Sequence, residues 1–107
     1  MSILLDEGVP RVIQRRLPDL PIYTVDEMSW RGIRNGQLLD LMAERFDILV
    51  TTDKNLRHQQ NLVKRQISAV ILPTNQIPLV IELLPQIEAA LTTIESGSVI
   101  EIMLPTT

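Results

Sequence analysis

Apolar positions along the chain fall into short continuous runs that alternate with stretches of helical spacing. Ile3-Leu4-Leu5 is a run ended by Asp6-Glu7-Gly8, and Val9, Ile13 and Leu17 then recur at helical intervals, with Pro10 suited to a first turn. Pro18 and Pro21 bracket a break, after which Ile22-Tyr23-Thr24-Val25 has the β-branched and aromatic content of a second strand, ended by Asp26-Glu27. A loop through Trp30-Arg31-Gly32-Ile33-Arg34 follows. Asn35 then stands as the N-cap of a helix whose apolar positions are Leu38, Leu39, Leu41, Met42 and Phe46.

Ile48-Leu49-Val50-Thr51-Thr52 is apolar without alternation, as expected of a strand covered on both faces, and it stops at Asp53. Lys54 to Arg65 reads as a polar helix with His58-Gln59-Gln60-Asn61 on a solvent face, and Ile67 to Leu72 as a fourth buried strand. Pro78 opens a long amphipathic helix to about Glu95, and Pro85 inside it removes a backbone donor, predicting a kink or a restart. Ser96-Gly97 closes that helix and Val99 to Leu104 form a fifth strand. Strands alternating with helices predict one α/β domain over residues 1–107, a doubly wound, mostly parallel five-stranded sheet. The last helix carries Ile77, Val80, Ile81, Leu84, Ile87, Leu91 and Ile94, widened by Leu79 and Leu83. That stripe exceeds what one sheet face needs and predicts a homodimer or partner surface.

Composition narrows the chemistry. Of 107 residues, 45% are hydrophobic and 21% charged, enough apolar content for a core. With no cysteine, disulfides, thiol nucleophiles and thiolate zinc sites are excluded, and one histidine excludes a His cluster. Aromatics at 3% exclude an aromatic stacking sheet for single-stranded nucleic acid. The apolar runs are far shorter than the roughly 20 residues of a membrane span, and Met1-Ser2 lacks a positive leader, so a cytoplasmic protein without a membrane partner is expected. All ten Lys and Arg lie between Arg11 and Arg65, whereas residues 66–107 hold Glu82, Glu88, Glu95 and Glu101 and no base. A long basic surface for duplex nucleic acid is absent, and a small site using a few arginines for one or two phosphates remains open.

The first three strands all end in acid. Asp6 and Glu7 follow the first, Asp26 and Glu27 the second, and Asp53 the third. In open α/β sheets the ligand site lies outside the carboxyl ends of the strands. Carboxylates gathered there repel unless a cation or proton lies between them, and oxygen ligands without His or Cys select Mg²⁺ or Mn²⁺. The metal set read from this pattern is Asp6, Asp53 and Glu7. Asp53 is also placed to cap the following helix, Asp26 and Glu27 fit a plain turn, and Asp40, four residues before Glu44, belongs either to a solvated stripe or to the crevice. Trp30, Arg31, Arg34, Lys54 and Asn55 are the candidate substrate contacts. A single glycine, Gly8, after the first strand argues against a dinucleotide or P-loop site.

Ile3-Leu4-Leu5-Asp6-Glu7, Arg31-Gly32-Ile33-Arg34-Asn35-Gly36 and Leu49-Val50-Thr51-Thr52-Asp53-Lys54-Asn55 together resemble the small bacterial PIN-like domains related to VapC-type toxin nucleases. The resemblance covers about residues 3–75. It implies a PIN-like fold of strand order 3-2-1-4-5, a Mg²⁺-dependent ribonuclease and an antitoxin-like protein partner, with Asp6 and Asp53 matching the family's metal-binding acids. Where the family usually carries an acid near the start of the helix before the third strand, this chain has Asn35, Gly36 and Gln37, with Asp40 one turn further on as the candidate third catalytic acid. The family's final acid has no clear counterpart, although Asn55 offers an oxygen. Two alternatives stand beside the nuclease. One is a PIN-like binding module that has lost catalysis. The other is a receiver-like phosphoacceptor, which lacks the basic residue such a site needs after its fifth strand, because no Lys or Arg follows Arg65.

Overall fold

The computed structural model describes residues 1–58 and 62–105. Five strands, β1 (Ile3–Leu5), β2 (Ile22–Thr24), β3 (Ile48–Thr51), β4 (Ser68–Ile71) and β5 (Val99–Glu101), form one sheet in which every pairing is parallel. Parallel neighbours require crossovers, and here each crossover contains helix: α1 (Val12–Arg16), α2 (Asn35–Met42), α3 (Leu62–Arg65), and α4 (Ile77–Glu82) followed by α5 (Leu84–Thr93).

Register explains why the strands lack polar alternation. Leu4 pairs with Leu49, Leu49 with Ala69 and Ala69 with Val99, and this row faces the layer built by Leu38, Leu39 and Met42 of α2 with Phe46, Leu56 and Leu62. One residue on, Leu5, Val50, Val70 and Ile100 form a row on the opposite face, against Ile13 of α1, Val80 of α4, and Ile87 and Leu91 of α5. Both faces are covered, so both parities must be apolar.

The order is β2-β1-β3-β4-β5, which corrects the expected 3-2-1-4-5. The burial patterns supply the reason. All four residues of β3 are buried, so it gains most between two neighbours, β1 and β4. In β2 the exposed Tyr23 separates two buried residues, and Pro21 precedes the strand, both features of an edge. The expected order would have put the alternating strand inside and the fully apolar one at the rim.

Local differences have local causes. Helix α2 begins at Asn35 itself, with Arg34 in the capping position at an extended φ of −131° and no side-chain cap, so Asn35 is not the N-cap. The expected polar helix from Lys54 to Arg65 is instead a 3₁₀ turn at Lys54–His58 and the four-residue α3, with Leu56 and Leu62 buried. Residues 59–61, and with them the solvent-face reading of His58, lie outside the described residues. Pro85 marks a restart, because α4 ends before Leu83 and α5 opens at Leu84 with proline in its first turn, where the missing N–H costs nothing. The break lets Val80, Leu83, Ile87 and Leu91 all reach the core, with Leu84 and Ile94 packed against it, while Leu79 and Ile81 are half-buried and Ile77 is exposed. Among the described residues no helix is long and apolar enough to cross a membrane.

Two glycines at positive φ test how the turns are held. Gly8 (φ +87°) has open space where a Cβ would stand, whereas a Cβ on Gly97 (φ +81°) would lie 3.1 Å from the Val63 backbone. Gly8→Ala should cost about 1 kcal/mol through its left-handed conformation alone. Gly97→Ala should cost more in urea denaturation, because α3 must also move.

Candidate functional site

Strand parity builds the site. Asp6 and Thr51 come two residues after Leu4 and Leu49, so both side chains leave the sheet on the α2 side, and the Asp6 N–H extends the ladder by donating to the Val50 carbonyl at 2.8 Å. They open into a cleft of about 390 Å³, lined on its polar side by Asp6, Glu7, Arg34, Thr51 and Asp53 and on its apolar side by Ile33, Leu38, Leu39, Leu49 and Leu56. The cleft lies at the carboxyl ends of β1 and β3, where the chain's connections turn to opposite sides of the sheet.

One hydroxyl connects the two acids. Thr51 Oγ1 donates to Asp6 Oδ2 at 2.8 Å and accepts the Asp53 N–H at 3.1 Å, and Thr51 is itself buried. Asp6 Oδ1 accepts the Glu7 N–H at 2.8 Å, and Asp53 Oδ1 accepts the Asn55 N–H at 2.9 Å, capping the 3₁₀ turn. Removal from water pushes the Asp6 carboxyl above its ordinary range, and the Thr51 and Glu7 hydrogen bonds pull against that. The negative charges of Asp53 and Glu7 add smaller upward pushes.

The other candidates are dispersed. Glu7 lines the cleft, but its Oε1 accepts the Gly32 N–H at 2.7 Å. Arg34 lines the cleft and forms no hydrogen bond or ion pair with its side chain among the described residues. Arg31 does not line it. Its guanidinium lies 3.1 Å from Asp26, which also takes Arg11 at 2.7 Å. Trp30 is half-buried with its ring edge-on to Phe46 at 6.0 Å, a packing role, and Lys54 and Asn55 are exposed outside the cleft lining. Asp40 points away from the crevice to Arg65, with its Oδ1 2.7 Å from one guanidinium nitrogen and 2.9 Å from another.

Asp26 and Glu27 serve the turn after β2. The Arg11 hydrogen bond, helped by Arg31, holds the Asp26 carboxyl below its ordinary range, and the Gln14 amide does the same for Glu27. Glu27 Oε1 accepts the Thr24 N–H while Thr24 Oγ1 accepts the Glu27 N–H, a reciprocal pair that closes the turn. Thr51 opens the Thr51-Thr52-Asp53 run that carries the resemblance, but the sequence pattern gives it no role in the site. Its signal was a hydroxyl inside an otherwise apolar strand, in parity with the acid two positions on. A second cavity of about 480 Å³ at the amino ends of the strands has one acid, Asp47, whose Oδ2 accepts the Ser2 N–H at 3.0 Å. Among the described residues no three His, Cys, Asp or Glu side chains are grouped as a metal cage.

Neither a known protein family, nor a curated protein, nor a solved structure matches the chain.

The raised Asp6 midpoint sets a pH dependence. Between the unfolded and folded midpoints the folded chain binds more protons, so this group's contribution to stability is present at low pH and lost as pH rises through the folded midpoint. Asp6→Asn can keep an acceptor for Glu7 and a polar contact to Thr51, so it should melt higher than the wild type at pH 7. The gain should disappear below the ordinary carboxylate range. Thr51→Val removes the hydroxyl that favours the charged form and should move the Asp6 midpoint further up in a carboxyl-carbon NMR titration.

Proposed function

We propose that the cleft is a divalent-cation-dependent phosphodiesterase site acting on RNA, in a PIN-like domain. The observation that carries this reading is the pair Asp6 and Asp53 joined through Thr51 at the switch point of a parallel sheet, with Arg34 on the same cleft. Asp6 is a carboxyl disfavoured as a lone anion, a state that a cation relieves. The donors are carboxylate oxygens without sulfur or imidazole, which suits Mg²⁺ or Mn²⁺. Asp6 and Asp53 are the residues that would hold the ion, which when bound supplies charge neutralisation and activation of water for attack on phosphorus.

The chain's own groups do the rest. Thr51 holds Asp6 by donation, so that its carboxylate keeps one orientation. Arg34 offers planar donors to a phosphate oxygen, and the aliphatic wall of Ile33 and Leu38 excludes water from that side. Asp53 is anchored by accepting the Asn55 N–H on Oδ1, and it lines the same cleft.

A second reading is a PIN-like binding module that has lost catalysis and works in complex with an antitoxin-like protein. It draws on the position of Asp40, engaged by Arg65 instead of reaching the crevice, and on the acid-free segment Asn35-Gly36-Gln37. The strand order 2-1-3-4-5 is compatible with a receiver-like site, but no Lys or Arg follows Arg65 to hold a phosphoryl group on Asp53.

Millimolar Mn²⁺ or Mg²⁺ should raise the melting temperature of the wild type by mass action, and Asp6→Asn and Asp53→Asn should abolish that shift while remaining folded. Cleavage of a single-stranded oligoribonucleotide should require the ion and fail in both variants. A thermal shift without cleavage favours the binding module. No response to either ion, with Asp53→Ala behaving as a lost cap worth about 1 kcal/mol, removes the cation site.

A further inference from the structure

We infer that Glu7 is a positioning residue, whose carboxylate holds the loop before α2 through the Gly32 N–H and thereby presents Arg34 to the cleft. The sequence placed Glu7 with the metal ligands because it adjoins Asp6. Its geometry gives it different work. Glu7 Oε1 accepts the Gly32 N–H at 2.7 Å across 25 residues of chain. Among the described residues no other hydrogen bond or ion pair joins residues 31–34 to residues 6–9.

The rest of the loop is tied elsewhere. The Trp30 N–H donates to the Val25 carbonyl at 2.9 Å and its ring packs on Phe46, while the Arg31 guanidinium is spent on Asp26. These contacts secure the first half of the loop to the end of β2 and to the core. Gly32 runs at φ +84° with open space around it; Ile33 follows, donating its N–H to the Trp30 carbonyl at 3.2 Å and packing its side chain on the α2 layer, and Arg34 is extended at φ −131°. Glycine is therefore needed here for its dihedral angle, and its N–H is the one Glu7 takes. Arg34 follows two residues later. Of the arginines around this end of the sheet, Arg11 and Arg31 share Asp26, and Arg34 lines the cleft with Asp6 and Asp53. A carboxylate acceptor on the Gly32 N–H thus fixes an arginine without touching it, and the ligand that gains is an anion, a phosphate oxygen of the RNA backbone.

Arg34's part in binding rests on the reading of the cleft proposed above, whereas the tie itself does not, and the experiment separates the two. Glu7→Gln keeps an acceptor oxygen of the same reach but loses the charge a cation would need, and Glu7→Ala loses both. Exchange of the Gly32 amide should quicken by about tenfold in Glu7→Ala and stay near the wild-type rate in Glu7→Gln, and the Arg34 Nε–H resonance should move only in Glu7→Ala. Mn²⁺ affinity, read by electron paramagnetic resonance, should fall by the same small factor in both variants, because each loses only the nearby Glu7 charge. With Mn²⁺ present, binding of a single-stranded oligoribonucleotide should weaken about tenfold in Glu7→Ala and be rescued in Glu7→Gln, as for loss of one charged hydrogen bond. Unchanged Gly32 exchange and Arg34 resonance in Glu7→Ala would overturn the inference, as would abolition of Mn²⁺ binding in Glu7→Gln, which would make Glu7 a metal ligand. If the wild type binds neither Mn²⁺ nor the oligoribonucleotide, the cation-site reading fails, and the Gly32 and Arg34 measurements still decide whether Glu7 holds the loop.

Discussion

The pairing of β1 with β3, Leu4 beside Leu49 in a parallel register, is the constraint on which both the fold and the cleft depend. A parallel sheet must be covered on both faces, so each strand divides its side chains between two layers by parity alone. Leu4 and Leu49 belong to the α2 layer, and Asp6 and Thr51, two residues further along, inherit the same direction. A slip of one residue between these strands would turn one partner to the other face and separate the carboxylate from its hydroxyl. The apolar residues that fix the register therefore also fix the polar contact, though they lie below it in the sheet.

At the upper end of those strands the balance changes from burial to charge. Asp6 is drawn partly out of water, which disfavours its anion, and Thr51 and the Glu7 N–H restore some of what solvent supplied. The same threonine accepts from the Asp53 backbone, so one buried hydroxyl satisfies two segments at once. Burial in this arrangement disfavours the Asp6 anion, and the two hydrogen bonds offset part of that. Arg34 stands on that cleft without a carboxylate partner among the described residues, while the neighbouring arginines are neutralised by Asp26. The cleft thus gathers the carboxyls of Asp6 and Asp53 and the Arg34 side chain on one lining.

Much of this was legible from residue order. Continuous apolar runs marked the strands because each is buried on both faces, Pro85 marked the restart between α4 and α5 because a proline belongs in a first turn, and acids after β1 and β3 marked the end of the sheet where a ligand site belongs. Asp6 and Asp53 were identifiable for that reason. Burial preference and dihedral restriction are properties of short segments, and they are written in short segments.

What the chain does with those segments was decided by tertiary structure. The strand order depends on which pairs bury most when all five compete, and the alternating pattern of β2 against the unbroken one of β3 settles it only once both are set against the same neighbours. Asp40 sits at a spacing compatible with the crevice, yet α2 is rotated by the burial of Leu38, Leu39 and Met42, and that rotation gives Asp40 to Arg65, 25 residues away. Glu7 adjoins Asp6 in sequence, and the loop that returns Gly32 to it gives it a different partner. Thr51 stands in the Thr51-Thr52-Asp53 run by residue order alone, and only the β1–β3 register sets its hydroxyl against a carboxylate 45 residues earlier in the chain. The sequence by itself determined where the chain extends, coils and breaks, because those choices are local. The partners of its polar side chains were determined by packing, because a hydrogen bond between distant residues exists only after the apolar layers have fixed the backbone that carries both.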